Sequence, residues 1–570
     1  PDIDSVYMRV CQDFTGHGGW PLTILMTPEQ KPFLAGMYFP KHSGPNAVGC
    51  IELLTLVKEH WQNAREKLLQ TAEELVRTLK TESSPPESAS PEDLIAQLVR
   101  QSKRVFDGQY GGFGAAPKFP MPCTLLFLLT YARLAEDEEA LRMVEKTLRQ
   151  MYQGGLFDHI GFGFCRYATD RRWLAPHFEK MLYDNALLTL VYAQAYQQTR
   201  NERYKVVAEK TAAYVLRELS GPDGGFFCAQ DADSEGEEGK YYLFRPAEIV
   251  GLLGKEDGQA FNAYFDITEK GNFQGANIPN LLATAAETER FEAFLPEIYA
   301  YRKNRTALHR DDKVLTSWNA LMITALAGAY RILGDEKYLA AAQKSLRFIE
   351  TNLAEGENLF ASYRDGQRGA DGFLDDYAFL ILALLQMYGA TLDKSYLARA
   401  LSLLEKAVTD FFDEQRGGFY LYGKNSEKLI LQPKETNDGA VPSGNSVMAY
   451  NLLIVAKLVK SERLEGLAAR QRRFMAAKAR GQELGHSAFM LSMLLDRYPL
   501  REIVCVLKSP EDISRIKGKL PPDALVTVLE EPTKEYPLLN AQMTFYSCEK
   551  GACLPPVNEL GAEIPSQFRR

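Results

Sequence analysis

His177, Glu179, Lys180 and Asp184 stand together in one short run, Pro176-His177-Phe178-Glu179-Lys180-Met181-Leu182-Tyr183-Asp184, among bulky apolar residues. A histidine can take and return a proton near neutral pH, and a neighbouring carboxylate can orient it or share the proton. Pro176 suits the first turn of a helix. A 3.6-residue period then places His177, Lys180, Met181 and Asp184 on one face, with Phe178 and Leu182 beside them. Charges in a face fit for burial are costly unless they are paired or used. The plain alternative is a helix start with a solvated edge.

A second group, Asp158, His159, Arg166 and Tyr167, lies in a loop that Gly161 and Gly163 allow to bend close to a ligand. A histidine beside a carboxylate can act as a general base; the plain alternative is a loop histidine with its hydrogen bonds satisfied. An enzyme that removes a proton next to a carbonyl and returns it needs two such groups. His159 and His177 are the natural pair.

The third group is Gln230-Asp231-Ala232-Asp233-Ser234-Glu235-Gly236. It imitates the first half of a calcium loop, but position twelve is Tyr242 where a bidentate glutamate is required. No metal and no cofactor is assigned; Asp231 is a candidate catalytic carboxylate and Asp233 a candidate substrate ligand. The fourth group is Asp375-Asp376-Tyr377, preceded in the chain by Trp318-Asn319. Acids are favoured in a first helical turn by the dipole alone. Separated carboxylates on different hairpins are also what glycoside hydrolysis requires. Asp376 and Glu179 join the catalytic candidates. Asp184, Trp318, Asn319 and Asp375 join the substrate-binding ones, with Trp173 and Trp318 as pocket walls on which a sugar ring can stack.

The elements that must position these groups follow from periodicity. A helix is expected over 2–13, a hairpin of strands over 22–26 and 32–36, and a long amphipathic helix over 51–80. The run Ser83 to Pro91 is a linker by composition. From 92 to 498 the pattern is helix after helix, twelve in all, near 92–106, 122–135, 138–153, 183–198, 203–219, 318–333, 336–352, 373–391, 395–412, 443–460, 464–478 and 486–497. Between them recurs a loop theme of paired glycines followed by an aromatic, as in Gly111-Gly112-Phe113, Gly224-Gly225-Phe226 and Gly417-Gly418-Phe419. Glycine supplies the positive-φ stop. Helical hairpins of this kind bury their faces by stacking, and six of them closed into a ring make an (α/α)6 toroid; an open solenoid is the alternative, against which the polar, aromatic-rich loops suggest one face shaped for a ligand. Residues 205–317 interrupt the rhythm with an inserted loop or short hairpin. The end, 499–570, reverts to α/β, with strands over 502–507 and 525–529 and a helix over 509–519.

Gly18-Gly19-Trp20-Pro21-Leu22-Thr23 and Ala35-Gly36-Met37-Tyr38-Phe39-Pro40 resemble the thioredoxin-like domain of the YyaL family, which includes spermatogenesis-associated homologues. Ala116-Pro117-Lys118-Phe119-Pro120, Pro176 to Asp184, Ala229 to Gly236 and Ser317-Trp318-Asn319-Ala320 are similar to that family's helical motifs. The resemblance implies a partial thioredoxin-like domain over 1–82, a toroid over 92–498 akin to the N-acylglucosamine 2-epimerases, and a C-terminal α/β segment. It also implies a Cys-x-x-Cys dithiol upstream of the point where this sequence begins, so the chain reads as N-terminally incomplete. The expected function is that of a sugar epimerase or isomerase acting on a small carbohydrate. The alternatives are glycoside hydrolysis by carboxylates, and a ligand-binding or redox partner protein working through the thioredoxin-like domain.

A formal charge of -8 over 570 residues, with no basic tract, argues against nucleic acid and anionic membrane as partners. No apolar run approaches the length of a membrane span. The eight cysteines are scattered, and only Cys548 and Cys553 are close, at a spacing that fits neither zinc nor a redox motif. That usage suits a reducing compartment, and a cytoplasmic location is expected.

Overall fold

The computed structural model of the chain describes residues 1–45, 47–80, 91–284, 288–498, 500–549 and 552–559. The chain divides into two compact units, Pro1–Glu87 with Thr409–Glu435, and Ser88–Val408 with Thr436–Arg570. Of the expected linker only Pro91, which opens a helix, falls among the described residues.

In the first unit, α1 (Asp2–Thr15) buries Val6, Tyr7, Val10 and Cys11, a three-to-four-residue stripe, and stops at Gly16 in the left-handed conformation. Strand Thr23–Met26 pairs antiparallel with Pro32–Gly36. The helix expected over 51–80 is two helices, α2 (Cys50–Asn63) and α3 (Arg65–Lys80), broken at Ala64, whose φ of -145° is not helical. Val6, Tyr7, Val10, Cys11, Ala35 and Leu79 form a core joined by Leu429, Ile430 and Leu431. The Trp20-Pro21 peptide is cis.

The second unit is mainly helical. Its helices run α4 (Pro91–Val105), α5 (Pro122–Ala135), α6 (Glu138–Gln153), α7 (Leu182–Thr199), α8 (Glu202–Tyr214), α9 (Pro246–Leu253), α10 (Lys255–Tyr264) and α11 (Leu295–Arg305). They continue with α12 (Thr316–Leu333), α13 (Glu336–Asn352), α14 (Leu374–Thr391), α15 (Lys394–Phe411), α16 (Gly444–Val459), α17 (Glu462–Ala479) and α18 (Ser487–Arg497). All twelve periodic segments are helical. α5, α7, α12, α14, α16 and α18 pack each on the next, and α18 packs back on α5, so these six close a ring. They are apolar nearly all round, as α12 shows by burying every residue from Asn319 to Tyr330. α6, α8, α13 and α17 lie against α5, α7, α12 and α16 from outside. The architecture is an (α/α)6 toroid.

Two expectations are corrected. The interruption between α8 and α12 contains three further helices, α9 to α11, not merely a loop or hairpin. These helices are short; α9 starts with Pro246 and is closed by Glu248, whose carboxylate accepts from the Arg245 N–H at 2.6 Å, a local device with little long-range periodicity behind it. The C-terminal segment adds a strand at Thr544–Glu549. Strand Glu502–Val506 pairs parallel with Leu525–Leu529 and antiparallel with Thr544–Glu549, while the expected 509–519 helix is the short α19 (Asp512–Ile516). Cys548 and Cys553, directly opposite in the outer strand pair, form a disulfide. The other six cysteines are free, and all but Cys50 are buried.

Candidate functional site

The backbone from Pro176 to Met181 is extended rather than helical. Pro176–His177 pairs with Tyr167–Ala168, Lys180–Met181 pairs with Ala229–Gln230, and α7 begins only at Leu182. Side chains therefore alternate: Phe178 and Lys180 turn inward, His177 and Glu179 outward. Lys180 can go inward because its partner, Asp158, waits there. The ammonium donates to Asp158 Oδ2 at 2.8 Å and to the Phe162 carbonyl at 2.7 Å, between the rings of Tyr214 and Tyr242. Arg302 from α11 adds a two-pronged grip on the same carboxylate at 2.9 and 2.8 Å. Burial alone would raise the Asp158 carboxyl, but Arg302 and Lys180 overcome it and hold it well below the usual carboxylate range. Burial lowers the Lys180 ammonium, and Asp158 only partly offsets this.

The same construction recurs. Asp107 Oδ1 accepts the N–H groups of Gln109 and Tyr110, and Asp107 Oδ2 accepts Lys118, which also donates to the Gly111 carbonyl. Asp158 Oδ1 accepts Ile160 and Gly161, with Lys180 closing the loop. In the first unit Asp413 Oδ1 accepts Gln415 and Arg416, and Lys434 joins Asp413 Oδ2 to the Gly417 carbonyl. In each case the aspartate follows a phenylalanine, and a second phenylalanine after the glycines bridges back to the first, Phe106 to Phe113, Phe157 to Phe164 and Phe412 to Phe419. The glycine–aromatic theme is visible in the sequence; the lysine that fastens it is not.

A second pinning device sits four residues into two inner helices. Asn185 Oδ1 accepts the Phe164 N–H at 2.7 Å, and its amide donates to the Phe164 and Met181 carbonyls. Asn319 makes the equivalent three bonds to Phe226 and Leu315. Asn319, a substrate candidate by sequence, is fully buried and spends its amide on backbone.

Contacts between first turns bring the N-terminal ends of the inner helices to one end of the ring. The rings of Tyr183 (α7) and Trp318 (α12) meet edge to face at 4.7 Å. The Ser317 N–H (α12) donates to Asp376 Oδ1 (α14) at 2.9 Å. Gly444 (α16) lies so close to Asp375 that a Cβ would collide with its carboxylate. Asp438, before α16, accepts the Ser443 N–H at 2.9 Å and the Ala488 N–H (α18) at 2.8 Å, and Thr124 (α5) meets Ser487 at 3.0 Å. Three carboxyls of this belt are pushed up. Burial raises Asp376 to about 7, against the Phe373 and Ser317 N–H groups and with help from Asp375. Burial raises Asp184 well above the carboxylate range against the pull of Arg166, and Asp184 Oδ2 accepts no hydrogen bond. Burial also raises Asp438, which His486 partly opposes. Asp376 is thereby placed to hold and release a proton near neutrality. Neither Asp438 nor His486 is a candidate site residue by sequence. Asn437-Asp438-Gly439 reads as further polar groups before a helix, and nothing around His486 marks it; its ring sits between Gln482 O at 2.8 Å and Thr436 Oγ1 at 3.3 Å.

The other candidates fall in different surroundings. His177, 30% exposed, has Nδ1 at 2.7 Å from Glu238 and Nε2 at 3.8 Å from Glu179, which pairs with Arg166 at 3.2 Å. Its ring stacks on Tyr167. His159 is closed in by Tyr152, Phe157 and Phe265, and burial lowers it to about 4. Among the described residues the two histidines share no partner. Asp231 and Asp233 stand exposed on a hairpin. Trp173 is fully buried, donating Nε1–H to the Tyr110 carbonyl at 3.0 Å with Lys118 over its ring, so it packs the core rather than walling an open pocket.

Several known proteins are similar to this chain. The family model described as "Protein of unknown function, DUF255" (Thioredox_DsbH) matches residues 1–80. Spermatogenesis-associated protein 20 of Homo sapiens is 35% identical over 513 residues, covering 80% of this chain and 65% of its own length. The chain thus spans a little under two thirds of that relative. Protein B0495.5 of Caenorhabditis elegans is 32% identical over 511 residues, 81% of this chain and 70% of its own length. Among solved structures, that of D-mannose isomerase is similar over 73% of this chain and 100% of that one, with 13% identity and a TM-score of 0.48. Among the described residues no helix is long and apolar enough to cross a membrane. The chain belongs to the family of spermatogenesis-associated protein 20, the YyaL family.

Proposed function

We propose that the helical unit is a carbohydrate-active enzyme that moves protons to and from a sugar, in the manner of an epimerase or isomerase, at the end of the ring where the inner helices begin. The observation that supports this most is Asp376, a buried carboxyl at the head of α14 raised to about 7. A group that must serve as both base and acid works best near the operating pH. Beside it, Trp318 offers a partly exposed indole for a sugar ring, and the half-exposed Arg166 offers donors. His177, oriented by Glu238, is the second proton carrier in this reading. His159, walled in by aromatic rings, fits packing better than exchange with a substrate.

Glycoside hydrolysis is the second reading. It is favoured by Asp184 and Asp376, which lie on the two helices that flank α12. Incubation with aldoses, ketoses and disaccharides in D2O separates the two. Solvent deuterium at the carbon beside the carbonyl, lost by about 10²-fold or more in D376N, supports proton transfer. New reducing ends without deuterium would move the assignment to hydrolysis, and neither product would overturn both.

A further inference from the structure

We propose that the substrate is a neutral oligosaccharide of at least two rings, and that Phe119 is the platform for the ring beyond the proton-transfer groups; this rests on the function proposed above. Phe119 is a large apolar side chain left 42% exposed. Its ring lies tilted against Tyr167 at 4.8 Å and 31°, and Tyr167 stacks on His177 at 5.2 Å and 24°. The three rings form a short pile with Phe119 at its exposed end.

The backbone under that end is firmly held. Lys118, the residue before, exchanges two backbone hydrogen bonds with Ala168 at 2.8 and 2.9 Å. Its fully buried ammonium is fixed to Asp107 and to the Gly111 carbonyl, each at 2.7 Å. An exposed aromatic on a rigid base is suited to stacking a pyranose face, because little freedom is lost on binding.

Polar groups for sugar hydroxyls surround the pile. Arg166, next to Tyr167, pairs with Glu179, and Glu238 and Glu179 both face His177. Arg166 also interacts with Tyr183 and Asp184 at the head of α7. Its Nε–H is buried without a partner. Two carboxylates against one guanidinium disfavour a phosphate or uronate, and with it a nucleotide, leaving a neutral sugar as the ligand chemistry.

The test is calorimetric titration of the full chain with D-mannose against α-1,6-mannobiose and D-glucose against cellobiose, for wild type, F119A and Y167L. In at least one pair the disaccharide is expected to bind about tenfold tighter than its monosaccharide, the increment one stacked ring supplies. F119A should remove that increment and leave the monosaccharide unchanged; Y167L, which also takes the ring from His177, should remove the increment. Equal binding within both pairs, or an increment that survives F119A, overturns the platform while leaving the proton-transfer reading intact if D376N still abolishes deuterium uptake. Absence of binding by all four sugars overturns both.

Discussion

Arg302 holds Asp158 through both terminal nitrogens, at 2.9 and 2.8 Å, although the two stand 144 residues apart. The pair ties the insertion helix α11 to the loop before α7, and both side chains are within a few per cent of full burial. Removing one partner strands the other charge in a low-dielectric interior. R302M and D158N are each expected to lower stability by about 3–5 kcal/mol, read as a fall in the urea midpoint. Because Asp158 is held below the usual carboxylate range, this contribution is already complete well below neutrality. The loss should be the same at pH 6 and pH 8.

Asp376 behaves oppositely. Its carboxyl is raised from 3.8 to about 7. Between those values the unfolded chain has released its proton and the folded chain keeps it, so this group makes stability fall as pH rises from about 4 to about 7. D376N removes that dependence. Relative to wild type the variant should gain stability steadily over that window, whatever the cost of replacing the cap to Phe373 and Ser317. A difference between the two proteins that stays constant with pH would show that Asp376 is ionised throughout.

Asn185 and Asn319 each satisfy a buried backbone N–H and two carbonyls. N185A and N319A leave those groups unpaired, at a cost of about 1–3 kcal/mol apiece. If Asn319 instead serves the substrate, N319A will change sugar binding at unaltered stability.

Thiol titration checks the cysteine assignment. In the native protein, without reductant, only Cys50 should react quickly, since the other free cysteines are buried. Denaturation should reveal the six free thiols, and reduction the remaining two of the disulfide. Eight thiols on denaturation alone would exclude the Cys548–Cys553 bond.

The helices of the toroid were legible because each carries its own local signal, a one-sided apolar stripe in outer helices such as α6 and a long apolar run in inner ones such as α12, and all twelve appear where that signal places them. The segment from Pro176 to Met181 was misread for a physical reason. Lys180 looked like a charged residue on a helical face, and what sends it inward on an extended strand is Asp158, distant in sequence. The belt at the ring end was legible in part. Asp184, Trp318 and Asp376 stood out as polar or aromatic residues at helix starts. Asp438 and His486 did not, since their significance lies in which first turns they face. Glu238 was one acid among several on the hairpin until its 2.7 Å contact with His177 set it apart.

The lysine that fastens each aspartate loop lies 11, 22 or 21 residues downstream of its aspartate. The buckle is constant and the strap is not. Between Asp158 and Lys180 that strap carries Arg166, Tyr167 and His177, the residues closest to the platform and the half-exposed histidine. One fastening thus closes loops of three different lengths, and the loop between Asp158 and Lys180 uses the room between its fixed ends to present the residues of the proposed site.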